Sequence, residues 1–234
     1  MVATLVRVRF GAVLADVGGV FLVPHKEPVT RTLATVDVSI EGGDFEQAHF
    51  HGVAAVDFGT GAALDVQRYL SGYVEALGVA RRDRPRATVA LLDLWGRPSV
   101  DLWGHVLRES VQGLRLLAER KIPVAIVSNS DGTVQEQLRR HGICQVGGGV
   151  GVPVLAIIDS AVVGFAKPDA RAFTPAIAAT GLPPDQVAFV GDSVRYDVLG
   201  AEKAGLVPVH FDPLRLCQSN HRHHHVQALA DLVE

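Results

Sequence analysis

The sequence predicts an α/β protein: a doubly wound parallel sheet with helices on both faces and an α-helical segment inserted after its first strand. Three observations carry that prediction. Short, continuous, β-branched apolar runs recur along the 234 residues, the pattern of parallel strands buried on both faces. Segments of helical length separate the later runs, and alternation of strand with helix marks this class. The interval from Ala15 to Val124 is far longer than one crossover requires, so it must hold an additional body.

The first strand is expected at 12–15. The apolar stretch before it has some character of a signal peptide, but Arg7 and Arg9 interrupt it and it runs straight into Asp16, so a buried strand is the better account. In the long interval, Glu41-Gly42-Gly43-Asp44 breaks the chain before a helix carrying Phe45, Phe50 and Val53. A second helical stretch holds Leu64, Tyr69, Tyr73 and Leu77 and ends at Gly78, and a third spans 87–95. Residues 22–105 are therefore expected to form a helical lid, and residues 1–21 and 106–234 the core. Further strands are expected at 124–127, 154–158, 187–190 and 207–211. Pro208 lacks a ladder donor and places the last of these at a sheet edge. Helices are expected at 133–141, 170–180 and 194–204, each followed by a glycine suited to a C-cap: Gly142, Gly181 and Gly205.

Composition narrows the function classes. With 48% hydrophobic residues the chain can bury a substantial core, and no run of about 18 uncharged apolar residues suggests a membrane span. The net charge is −3 and the Lys and Arg residues are scattered, which argues against nucleic acid or a membrane as partner. Two cysteines, Cys144 and Cys217, make no disulfide framework. The expected setting is cytoplasmic.

Ligands of open α/β sheets bind beyond the carboxyl ends of the strands, and four such ends carry polar residues here. They are Asp16-Val17-Gly18-Gly19-Val20, Ser128-Asn129-Ser130-Asp131, Lys167-Pro168-Asp169 after a loop, and Gly191-Asp192-Ser193 with Asp197 beyond. Two carboxylates, Asp16 and Asp192, meeting at one sheet edge would repel unless a cation lay between them, and Mg²⁺ suits oxygen ligands. Converged in space, the four segments would supply a nucleophile, a hydroxyl donor to phosphate, a cation and a metal carboxylate. Each has a plainer reading. Asp16 could close a turn after a strand, Ser128 and Asn129 could be N-caps, Lys167 could be a surface lysine, and Asp197 could sit in a first helical turn for its charge alone.

This order of segments resembles the haloacid dehalogenase (HAD) superfamily, whose members are mostly Mg²⁺-dependent phosphatases working through an aspartyl-phosphate. The fourth segment, with Gly200-Ala201 and Ala204-Gly205 after Asp197, carries most of the likeness, and the lid stands where that family's C1-type helical cap lies. The resemblance implies a Rossmann-like core with Asp16 as nucleophile and Asp16, Asp192 and the carbonyl of Gly18 as metal ligands. It further implies that Gly18, Gly19, Ser128 and Asn129 bind phosphate, that Lys167 balances charge, and that Asp197 orients Lys167 or a metal-bound water. The implied substrate is a small phosphorylated metabolite.

One departure stands out. Family phosphatases carry an acid/base aspartate two positions after the nucleophile, where this chain has Gly18. Losing a general acid costs about 10²–10⁴ in rate, so slow turnover is expected. Two alternatives follow: a 2-haloacid dehalogenase-like hydrolase, whose relatives also lack that aspartate but work without metal and usually lose the Gly-Asp kept here, or a catalytically degenerate member that binds phosphate or a partner. His49 and His51, two residues apart, fall on different faces of a helix, so at most one is expected to point inward; a partly exposed lid residue is the expectation for each, with a catalytic part over the site as the alternative. Trp95 and Trp103 are expected to pack the lid or its hinge. The tract His221-Arg222-His223-His224-His225 is expected to be a solvated loop before a final helix, with transition-metal binding as its alternative.

Overall fold

Strands apolar at every position need partners on both faces, and this sheet has them. A computed structural model describes residues 10–40, 42–60, 64–96 and 102–233. The first nine residues, including Arg7 and Arg9, and Glu41 of the expected break lie outside them. In chain order the first half contains β1 (Ala12–Ala15), β2 (Leu22–Pro24), α1 (Lys26–Ala34), α2 (Phe45–Phe58), α3 (Asp65–Ala76), α4 (Arg84–Trp95), β3 (Trp103–Val106) and α5 (Arg108–Glu119). The second half contains β4 (Val124–Ser128), α6 (Val134–Arg140), β5 (Cys144–Val146), β6 (Val152–Val154), β7 (Ile157–Asp159), α7 (Ser160–Val163), α8 (Thr174–Thr180), β8 (Val187–Gly191), α9 (Leu199–Lys203), β9 (Val207–Phe211) and β10 (His224–Val226).

Six strands form one parallel sheet in the order β10-β9-β8-β1-β4-β7. Successive residues alternate between its two faces. Val13, Ala15, Ile126, Ala188, Val190 and Val209 pack into one core with Leu114 and Leu117 of α5. Leu14, Ala125, Val127, Val187 and Phe189 pack into another with Phe173 and Ala176. From β1 the chain builds outward through β4 to β7, then returns to place β8 on the other side of β1. The crevice between β1 and β8 is thus a topological switch point, where sheets of this kind bind ligands.

Between β2 and β3 the chain makes a helical module with a core of its own, including Leu33, Leu70, Tyr73, Leu77 and Leu91. It leaves and rejoins the sheet through the antiparallel pairing of β2 with β3, Leu22 opposite Val106. Periodicity predicted three of its helices; α1, whose mixed sequence KEPVTRTLA buries only Val29 and Leu33, was not legible. Its N-cap is His25, whose ring accepts from the Glu27 amide.

Four expectations need correction. The run 154–158 is not one strand: Val152–Val154 pairs with β5 in a separate two-stranded sheet, and Ile157–Asp159 joins β4. The helix expected at 194–204 opens as a π turn, Val194–Val198, before α9. Pro208 does not mark an edge strand. It pairs with Phe189 on one side, and β10 covers the other side only from Val209 onward, so the missing donor falls beyond the reach of the edge strand. That edge strand takes in His224 and His225, the end of the histidine tract, while residues 221–223 are loop as expected, and the element after it is a 3₁₀ turn, Leu229–Val233, rather than an α-helix. Gly142, Gly181 and Gly205 all take the left-handed conformation expected of C-caps. No helix among the described residues is long and apolar enough to cross a membrane.

Candidate active site

β1 ends at Ala15 and β8 at Gly191, so adjacent parallel strands deliver Asp16 and Asp192 to the same edge. Asp197 reaches the same point from the π turn, and oxygens of Asp16, Asp192 and Asp197 lie within 4.8 Å of one another. Lys167 closes the group. Its Nζ lies 2.8 Å from Asp16 Oδ1 and 2.7 Å from Asp197 Oδ1. Lys167 and Asp197 are buried.

Electrostatics follow from that burial. Desolvation opposes the charge of Lys167, but the two carboxylates outweigh it and hold the ammonium above its ordinary range. Asp16 is pushed up to about 7 by burial, against the pull of Lys167 and with the repulsion of Asp197 and Asp192 added. Burial likewise raises Asp197. Three carboxylates converge where one ammonium pairs with two of them, so the cluster is short of positive charge. All-oxygen donors with surplus negative charge fit a hard divalent cation.

The remaining predicted residues fall around this centre. Ser128, at the end of β4, is buried and faces a cavity of about 560 Å³ that Asp16, Gly18, Asn129, Lys167, Asp192 and Asp197 also line. Asn129 is committed elsewhere. Its Nδ2 donates to the Lys167 carbonyl at 3.0 Å and its Oδ1 accepts from the Lys167 amide at 2.8 Å, so it clamps the lysine's own peptide. Gly19 lies behind Asp192. Its φ is +70°, and a Cβ there would sit 1.8 Å from Asp192 Oδ2, so only glycine fits. A Cβ at Gly18 would meet the Trp103 ring at 3.4 Å, ordinary contact. Asp197 Oδ2 accepts from the Ser193 amide at 3.0 Å, which ties the π turn to the ion pair.

The helical module supplies residues the sequence reading did not assign to the site. His49 is 2% exposed, not the partly exposed lid residue expected, whereas His51 is exposed. Its Nε2 lies 2.8 Å from Asp192 Oδ2 and its Nδ1 2.9 Å from the Tyr69 hydroxyl. A signal existed: Phe45, His49, Gly52 and Val56 are the buried stripe of α2, at helical spacing. Asp57, on the same helix, accepts from Ser193 Oγ at 2.7 Å, the Val194 amide at 2.6 Å and the Arg195 amide at 3.0 Å. It therefore caps the π turn from across the cleft, and nothing in spacing or composition announced it. Tyr196 donates to Asp65 of α3, a further tie. Trp95 packs on Tyr69 and Tyr73, and Trp103 meets His49 edge-on with centroids 5.6 Å apart. Both tryptophans also line the cavity.

Known proteins were compared with this chain. Residues 11–205 match the family described as haloacid dehalogenase-like hydrolase. A phosphoserine phosphatase of Thermus thermophilus is 40% identical over 67 residues, a stretch covering 29% of this chain and 27% of that protein. A HAD phosphatase from Thermococcus onnurineus superposes with a TM-score of 0.54 at 17% identity, covering 94% of this chain and 95% of its own. A HAD-superfamily hydrolase from Ehrlichia chaffeensis gives 0.57 at 18%, covering 96% and 94%. A 2-haloacid dehalogenase from Pseudomonas syringae pv. Tomato gives 0.52 at 16%, covering 95% and 96%. Likeness at these identities speaks for the fold and is shared by phosphatases and a dehalogenase alike.

Proposed function

The chain belongs to the haloacid dehalogenase-like hydrolases, and from that premise we propose that it hydrolyses phosphate monoesters of small metabolites through an aspartyl-phosphate on Asp16. The observation that carries the reading is the convergence of Asp16, Asp192 and Asp197 at the switch point of the sheet, with Lys167 bridging Asp16 and Asp197. Mg²⁺ would be held by Asp16, Asp192 and the Gly18 carbonyl, and when bound it neutralises the charge that keeps a carboxylate from a phosphate dianion.

The residues then divide the work. Asp16 Oδ1 accepts from the Val17 amide and faces Lys167, which leaves Oδ2 to attack phosphorus. The new Oδ2–P bond forms as the ester P–O bond breaks, and the departing alkoxide takes a proton. Water then attacks the acyl phosphate, releasing inorganic phosphate and restoring the carboxylate. Lys167, already charged, balances the phosphoryl oxygens in the transition state. The Ser128 hydroxyl is placed to donate to one of them. Asn129 acts through its hold on Lys167, and Asp197 through its ion pair with the same group.

Gly18 has no proton to give. His49 is assigned that part, because it enters the cleft from the helical module, lies beside Asp192, and is oriented by Tyr69 at its other ring nitrogen. The helical module is assigned the role of a cap that closes over the substrate, with residues 22–105 as its extent. Dehalogenation is the weaker reading, since Asp192 adds a carboxylate to the cluster that metal-free chemistry would leave uncompensated.

The test is phosphate and halide release from panels of phosphate esters and 2-haloacids, with Mg²⁺ or EDTA. Metal-dependent phosphate release, absent in a folded Asp16→Asn variant, is the expected result. Halide release that EDTA does not suppress would replace the phosphatase with a dehalogenase.

A further inference from the structure

A second cluster of ligand-type side chains reaches the Asp192 backbone through His210 and does not line the cavity, and the proposed reaction uses none of it. One ligand atom each from His210, Cys217, His223 and His225 lies within 4.8 Å of the others. His210 stands in β9, His225 in β10, His223 just before β10, and Cys217 in the loop between the two strands. We propose that these four residues form a tetrahedral Zn²⁺ site of the one-thiolate, three-imidazole kind.

The chemistry of the donors points to that metal class. Thiolate with imidazole suits borderline-soft zinc, whereas the carboxylates of the active site suit magnesium. Bonds of about 2.0–2.3 Å to a tetrahedral ion put ligand atoms about 3.3–3.7 Å apart. Cys217 Sγ and His223 Nε2 are 3.7 Å apart as they stand. The rings of His223 and His225 stack at 4.5 Å between centroids, and that of His210 lies 5.4 Å and 5.3 Å from them. A modest inward movement completes the geometry.

Two independent features show imidazole nitrogens prepared for a ligand. His210 is 4% exposed, and its Nδ1 has no hydrogen-bond partner among the described residues, a costly arrangement for a buried polar atom. Its Nε2 lies 3.0 Å from the Asp192 carbonyl oxygen. Donation to that carbonyl puts the proton on Nε2 and leaves the buried Nδ1 lone pair without a donor among the described residues. His225 Nδ1 lies 3.6 Å from Asp212 Oδ2, an ion-pair separation that turns the ring's other nitrogen away from that carboxylate. Metal-bound histidines usually have such a carbonyl or carboxylate behind them. Asp212 also accepts from the Leu216 amide at 2.7 Å and the Cys217 amide at 3.2 Å, shaping the loop that carries the sulfur.

The site also answers a structural need. Residues 212–223 connect β9 to β10 without a helix or strand, and β10 is a three-residue edge strand. A metal bound by both strands and the loop between them would staple this end of the sheet. It would also fix His210, and through it the backbone of Asp192.

The experiment uses untagged full-length protein, stripped by chelator, refilled with saturating Mg²⁺ and titrated with Zn²⁺ or Co²⁺. One equivalent of Zn²⁺ is expected, and Co²⁺ should give a near-ultraviolet thiolate charge-transfer band. Cys217→Ser should abolish the band, Cys217→Ser with His223→Gln should abolish stoichiometric zinc binding, and Asp212→Asn should weaken it about 10–100-fold. The exposed His51→Gln variant should behave as wild type. Cobalt bound without a thiolate band, or zinc stoichiometry unchanged in the double variant, overturns the site. If the double variant does not fold, the band in Cys217→Ser alone decides.

Discussion

Position 18 sets a problem for the rest of the site. A side chain there could protonate the leaving alcohol, and glycine cannot, yet the neighbourhood is not vacant: Trp103 lies against where a Cβ would be, and His49 reaches Asp192 from the facing helix. If His49 supplies the proton, its loss should hurt in proportion to leaving-group basicity. His49→Ala is expected to lower kcat about 10²–10⁴-fold on alkyl phosphates and little on p-nitrophenyl phosphate, whose leaving group needs no acid. Adding Gly18→Asp to His49→Ala should recover part of the alkyl phosphate rate. Equal losses on both substrate types, with no recovery, would reduce His49 to a packing residue of the cleft. The convergence of Asp16, Lys167, Asp192 and Asp197 was readable from the sequence because each closes a strand or follows one at fixed order. His49 was readable only in part: its place on the apolar stripe of α2 was visible, but no pattern said that His49 would reach Asp192 while Phe45, Ala48 and Val56 of the same stripe pack into the module's own core.

At the scale of elements, α2 is tied to the π turn after β8 by the Asp57 carboxylate, which takes three hydrogen bonds from Ser193, Val194 and Arg195. Burial, against those three bonds, raises Asp57 from 3.8 to about 6. A carboxyl with a raised folded-state pKa stabilises the fold below about pH 4 and loses that contribution as pH climbs through about 6. Urea midpoints of the wild type should therefore fall from pH 4 to 7 relative to those of Asp57→Asn, and parallel profiles for the two proteins would remove Asp57 as the cause. Asp57→Ala, which strands the three donors, should cost about 1–3 kcal/mol in the same measurement at pH 7. Element order was legible because strand and helix periods differ. The errors about strands were errors of pairing. Pro208 was read as an edge marker because sequence shows a missing donor but not which neighbour lacks it, and the β-strand in the histidine tract was hidden because His224 and His225 have no strong strand signature. The break in 154–158 was hidden for the same reason: one apolar run served two different sheets.

Across the whole molecule, the hydrophobic core on one face of the sheet and the core of the helical module meet at the cavity that Asp16 and Asp192 border, while the core on the other face supports the strands from behind. The sheet edge fixes the carboxylates by strand register, Gly191 opposite His210 and Ala15 opposite Val190, so their spacing does not depend on the module. The module brings His49, Tyr69 and Asp57 against that edge, which makes the closed cleft a joint product of both bodies. Fold and sheet-edge residues could be argued from the chain alone because they depend on local period and order. The contacts across the cleft could not, because they depend on how two separately folded cores come to rest against each other. In the proposed mechanism Asp16 becomes phosphorylated during turnover. Protein quenched in acid during steady-state hydrolysis of acetyl phosphate with Mg²⁺, then digested and analysed by mass spectrometry, should carry one phosphoryl group on the peptide containing Asp16, absent with EDTA and absent in Asp16→Asn. Rapid phosphate release with no phosphoryl group trapped on that peptide, and turnover that persists in Asp16→Asn, would contradict it.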